Sequence, residues 1–296
     1  MSDRKRNEED YRRLQVEGNE LKNAMICNRL ADDSLMWNPE EAIYWRKKAI
    51  KKLEEINGKR NIENTVSYDK LVNDLMEKGS YKEAVKWNNR SLKIKLKELG
   101  VDSSKTIVNS LYKIELDLLL KKYEEVADSI DKIILTLQNH QDIALSELYD
   151  IYLKLIYIEG SYNIYAINHN ESTLSHIDEF SDKAIMISNK IYGENSIQTV
   201  EAYRLKAVCS DKNSEYRLNI LKKAILSAIN NEGFNGENVI RIFYNIRQCW
   251  KNEDCWKESA KWAIENVSRT FLLNIMKRFP EYAQEIINDV LEDNDP

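Results

Sequence analysis

The chain is 296 residues long, 43% hydrophobic and 31% charged, with a formal net charge of −5. Its 8 Gly and 3 Pro cannot supply the turns that sheets need every ~10 residues, or the glycine-rich phosphate turns of doubly wound folds, which leaves helices joined by short polar turns. Acidic and basic residues are mixed without a basic stripe, against nucleic-acid binding, and no run approaches the ~20 apolar residues of a membrane span.

The opening MSDRKRNEEDYRRLQ has no apolar core for a signal peptide, and Arg4-Lys5-Arg6 is followed at once by Glu8, Glu9 and Asp10. A charged helix is predicted over roughly 8–33. Asn38-Pro39-Glu40-Glu41 then opens a second helix, with an N-cap residue and proline at the first helical position. Tyr68, Leu71 and Leu75 form an apolar stripe at spacings of three and four, which is helical. Gly79 and Ser80 break it, and Ser80-Tyr81-Lys82-Glu83 reads as a capping box ahead of Tyr81, Ala84, Val85, Leu92 and Ile94. Another helix pair follows through Ile114, Leu118 and Lys122–Leu135. Tyr149, Tyr152, Tyr157, Tyr162 and Tyr165 then lie on a long aromatic helix. These tyrosines read either as the core of an irregular unit or as a docking surface. Phe271 to Asp293 reads as a solvating cap helix with a break at Pro280. The four cysteines (27, 209, 249, 255) show no CxxC spacing and read as reduced, mostly buried thiols, which predicts a cytoplasmic protein. The heavy use of Asn, Lys and Ile is the composition of AT-rich bacterial genomes.

One period organises these elements. Ala42, Ala84 and Val126 recur every 42 residues, as do Ala49, Ser91 and Ile133, Trp45 and Trp87, and Gly58 and Gly100. After a nine-residue insertion Gly193 lies 93 residues beyond Gly100, and Ala224 and Gly233 follow Ala184 and Gly193 by 40. Trp256-Lys-Glu-Ser-Ala-Lys-Trp262 repeats Tyr81-Lys-Glu-Ala-Val-Lys-Trp87. The whole chain, 1–296, is thus predicted as a single array: 8–58, 61–100, 103–139, an irregular 141–193, 195–233, 236–270, and the cap over 271–293. Such hairpins gain stability by stacking on their neighbours.

Gly79-Ser-Tyr81-Lys-Glu-Ala84, Ser91-Leu92-Lys-Ile94 and Lys97-Glu-Leu-Gly100, with the same tail at Lys190-Ile-Tyr-Gly193-Glu194, resemble the tetratricopeptide repeat family, in the ~42-residue variant of kinesin light chains. The resemblance implies an all-α, right-handed superhelical solenoid of about six helical hairpins with a C-terminal cap helix. It also implies a concave face, lined by the first helix of each pair, that receives a partner protein or peptide. On that analogy Asp69, Asn73 and Met76 (beside Val66), then Asn109, Tyr112 and Glu115, then Arg241, Tyr244 and Gln248 are the partner-binding positions, although each could equally be a solvated surface residue. The expected function is a scaffold or adaptor; the alternative is a peptide-gated regulatory sensor acting through another protein.

Nothing in the residues supports an enzyme. GxGxxG, GK[ST], GxSxG and HExxH are all absent, so neither cofactor nor metal is expected. His169 and His176, seven apart, could share a helix face but make a weak metal site at best. The recurrent Trp45, Trp87 and Trp262 read as inter-repeat packing. Glu40-Glu41 and Glu124-Glu125 read as helix starts favoured by the dipole.

Overall fold

The computed structural model describes Glu9, residues 11–13, 18–139, 142–169, 172–210 and 214–232. Among the described residues there are only helices, turns and short coil. Ten helices of at least three turns occur in order: α1 (Glu20–Ser34), α2 (Pro39–Asn57), α3 (Thr65–Glu77), α4 (Tyr81–Leu99), α5 (Ser104–Leu119), α6 (Val126–Asn139), α7 (Leu145–Asn168), α8 (Ile177–Tyr192), α9 (Ile197–Cys209) and α10 (Ser214–Glu232). None of the described helices is long and apolar enough to cross a membrane.

The chain divides after Ile143 into two compact units. In the first, each of α1 to α6 packs on the next in sequence; in the second, α7 to α10 do the same and α7 also touches α9. The 42-residue markers show why. Ala42 and Ala84 are fully buried, as are Ala49 and Ser91, because side chains this small let helix axes approach closely. Val126 and Ile133 occupy the same places in α6 and are also buried. Gly58, Gly100 and Gly193 each end a second helix at φ of +81°, +85° and +92°, a region where a Cβ is strained.

Three local expectations change. The opening helix is not continuous over 8–33: Gly18 takes a φ of +72°, and α1 starts afresh at Glu20 with the Asn19 side chain accepting from the Lys22 N–H at 3.0 Å. Asn38 does cap α2, accepting from the Glu41 N–H at 3.1 Å, but Ser80 makes no side-chain cap to α4. The Glu83 carboxylate is drawn away by Lys47 at 2.7 Å, so the capping box does not form. His169 closes α7 and His176 precedes α8, so the two share no helix face.

The irregular fourth hairpin has a simple construction. Its first helix, α7, has 24 residues against 13 in α3 and 16 in α5, and the extra length is tied down from within. Asn163 donates to the Leu174 carbonyl at 2.9 Å and accepts from the Leu174 N–H at 2.8 Å. Glu159, fully buried, accepts from the His176 N–H at 2.6 Å and the Ile177 N–H at 3.2 Å, and thereby caps α8 from a neighbouring helix. Burial raises the Glu159 carboxyl above its ordinary range, and the His176 N–H acts against that rise. Tyr149, Tyr152 and Tyr162 are core residues here; Tyr149 donates to the Gln198 carbonyl at 2.7 Å and Tyr152 stacks on Phe180. Tyr157 is exposed and Tyr165 stacks on His169.

Candidate partner-binding surface

In the first unit, the face of α3 expected to meet a partner is built on a buried core of Tyr68, Leu71, Val72 and Leu75 with Ile43, Ile50, Ala84 and Ile94. The stripe read from the sequence is therefore the packed one, and Val66 and Asn73 turn away from it and stay exposed. Met76 and Tyr112 lie half-buried at the edge of this same core.

Asp69 and Asn109, named as separate contact positions, are brought together by direct hydrogen bonding. The Asn109 amide donates to Asp69 at 2.8 Å and to the Asn88 side chain at 2.8 Å, and the Asn88 amide donates to the Asn109 carbonyl at 2.9 Å. Lys95, 4% exposed, donates to Asp69 at 2.5 Å and to the Asn109 side-chain oxygen, and Ser91 donates to Asp69 at 2.6 Å. Asn109 is fully buried, so its expected partner contact is replaced by a structural one: it locks α5 onto α3 and α4. Asp69 keeps a quarter of its side chain in solvent, and Glu115 is half-buried on α5. Arg241, Tyr244 and Gln248 lie outside the described residues.

A second polar cluster ties the first hairpin to the second. Arg46, 1% exposed, donates to Asp74 at 3.0 Å, to Asp32 at 2.5 Å, and to both the carbonyl and the side-chain oxygen of Asn28 at 3.1 and 3.0 Å. Burial pushes the Asp74 carboxyl up, and the guanidinium acts in the opposite direction. Lys70 adds a contact to Asp32 at 2.7 Å. The sequence carried a usable sign of this cluster. Arg46 falls between Ala42 and Ala49 on a stripe of small buried residues, where a charge requires partners.

Trp45 and Trp87 each pack on residues of their own hairpin, and Trp87 also borders a core that includes Ile43 and Ile50 of the preceding one. Trp45 is fully buried against Tyr11, Cys27, Leu30 and Ala31, and Trp87 packs on Tyr68 of its own hairpin. Each indole N–H donates to the glutamate one turn earlier, Trp45 to Glu41 at 2.6 Å and Trp87 to Glu83 at 3.5 Å. A cation covers each ring: the Lys48 ammonium lies 4.5 Å from the Trp45 centroid and the Arg90 guanidinium 5.3 Å from that of Trp87. Glu41, read from the sequence as a helix start favoured by the dipole, and Glu83, read as part of a capping box, thus recur as indole acceptors.

Solved structures share this arrangement of helices. A chain of nearly identical TPR-like repeats assigned to a kinesin light chain of Podosopora anserina superposes with a TM-score of 0.54 at 11% identity, over 74% of this chain and 99% of that one. BtubC (BKLC) from P. vanneervenii superposes with a TM-score of 0.54 at 10% identity, over 90% of this chain and 94% of that one. The fold is a TPR-like helical repeat. No protein-family model matches the sequence, and no curated protein matches it. Low identity is what degenerate tetratricopeptide hairpins permit, since the fold asks only for small residues at close approaches and apolar residues at helical spacing.

Within these helical hairpins the remaining candidates for chemistry are placed among packing groups. Cys27 is buried, and desolvation pushes its thiol up to about 11; Cys209 is half-buried against α7. Among the described residues, no group of three or more His, Cys, Asp or Glu could hold a metal ion. Cys249, Cys255, Trp262, His140 and the cap helix fall outside the described residues.

Proposed function

We propose that this protein is a cytoplasmic interaction scaffold that holds a partner protein or peptide on the concave face formed by the first helices of its hairpins. One observation carries the reading. Val66 and Asn73 remain exposed on α3, and Met76 and Tyr112 half-exposed at its edge, beside a register fixed by the Asp69–Lys95–Asn109 network. A rigid backbone presenting a mixed apolar and amide surface suits peptide capture, because little ordering entropy is lost on binding. Asp69 contributes through its solvent-facing edge and Glu115 flanks Tyr112; Arg241, Tyr244 and Gln248, outside the described residues, belong to this reading from the sequence alone. The binding reading requires no cofactor and no catalytic step.

The test is a photo-crosslinking amino acid placed at Asn73, with a second protein carrying it at Ser129 as control. A defined adduct from native lysate at position 73 and none at 129 is the expected result. No adduct, or the same adducts from both positions, removes α3 from the binding surface.

A further inference from the structure

The geometry points to a second docking surface, on the solvent face of α4, for an acidic helical segment of a partner protein. Helix α4 carries six basic residues and two acidic ones. Ala84, Asn88, Ser91, Ile94 and Lys95 form its buried side. Lys82, Lys86 and Lys93, four and seven residues apart, therefore share the opposite side, and all three are exposed. They span about 16 Å at 1.5 Å per residue.

Lys82, Lys86 and Lys93 form no salt bridge among the described residues, and the charge of Lys86 acts only through space on Glu83, helping to hold that carboxyl below its ordinary range. Around them cations are neutralised: Lys47 by Glu83, Lys78 by Glu40, Arg90 by Glu54, Lys95 by Asp69, Lys97 by Glu98. Among the described residues no carboxylate lies within ion-pair distance of Lys82, Lys86 or Lys93. The nearby acids that could have served are already taken, Glu83 by Lys47 and Glu98 by Lys97. Lys51 of α2 is exposed too, and α2 runs beside α4, as the Lys47–Glu83 and Glu54–Arg90 pairs show.

Charge complementarity selects the occupant. A duplex or an anionic bilayer presents an extended negative surface, which a chain whose net charge is already −5 repels at longer range. A helix with carboxylates at intervals of four and seven places its charges at the lysines alone. This surface is independent of the α3 face, so its failure leaves that reading untouched.

The experiment uses the full-length protein and a fluorescein-labelled, alanine-rich helical peptide with glutamates four and seven residues apart, read by anisotropy. A second peptide of equal composition with its glutamates grouped at one end is the control. The spaced peptide should bind at least tenfold more tightly than the grouped one. Lys82→Glu/Lys86→Glu/Lys93→Glu should weaken it tenfold or more, and the corresponding triple glutamine variant should weaken it less, with unchanged thermal midpoints. Asn73→Ala should leave it unaltered. Equal binding of both peptides, or of the triple variants and the parent, overturns the proposal. So does tighter binding of duplex DNA or phosphatidylserine vesicles that displaces the peptide from the same lysines.

Discussion

Lys121 sits where the 42-residue period would place a glycine. It follows Gly79 by 42 residues and adopts a φ of +61° beside that glycine's +77°. The hydrogen bonds match as well. The N–H groups of Gly79 and Ser80 reach the carbonyls of Met76 and Leu75, and those of Lys121 and Lys122 reach Leu118 and Asp117. One helix end is thus made with the residue that suits it and the other without. Lys121→Gly should raise stability by about 1 kcal/mol in urea denaturation, and Gly79→Ala should lower it by a similar amount. Gly160 presents the opposite case. A Cβ built there would lie 2.9 Å from the Cys209 Sγ and 3.0 Å from its Cβ, so α7 and α9 touch through a bare backbone. Gly160→Ala should cost about 1–3 kcal/mol despite alanine's better helix propensity, because the helices must separate.

At the scale of elements, two devices hold helices in register. The Arg46–Asp74 pair is 1% and 2% exposed, so removing one member strands a buried charge. Arg46→Met should cost about 3–5 kcal/mol by chemical denaturation, and adding Asp74→Asn should recover a substantial part. Glu159 caps α8 from α7, and its carboxyl is raised above the ordinary value of 4.5 by burial. The folded chain therefore holds that proton more tightly than the unfolded chain. The contribution to stability is fully present below 4.5 and is lost as pH rises through the raised folded value. Glu159→Gln should flatten this part of the profile when midpoints are compared from about pH 4 to about pH 7. The glutamine can hold the same two N–H groups with an uncharged oxygen, so the variant should escape the stability loss that the parent shows as pH rises towards neutrality.

For the whole molecule, repeat architecture makes stability a sum of hairpins and their interfaces. Within the first unit, α3 is shared by both polar clusters, through Asp74 toward α2 and through Asp69 toward α4 and α5. Loosening one side of α3 should weaken the other. Arg46→Met and Lys95→Met should therefore be non-additive, with a coupling of at least about 0.5 kcal/mol in a double-mutant cycle. Strict additivity would mean that the two interfaces act independently.

The sequence by itself determined the helices, their pairing and the period. These depend on local chemistry repeated in register: apolar residues at three and four, alanine at the close approaches, glycine at φ near +80° to +92° after α2, α4 and α8. The tertiary structure alone decided which polar residues face solvent. Asp69 and Asn109 look like surface positions on a helical wheel, yet they meet across 40 residues of chain, and Lys95 joins them from a third helix. No spacing rule reaches that far, because the partners of a buried polar group are set by neighbouring helices rather than by its own. The same holds for Glu83. Its spacing from Ser80 fits a capping box, but the ammonium of Lys47 from the preceding hairpin offers a stronger, charge-assisted partner than a backbone N–H.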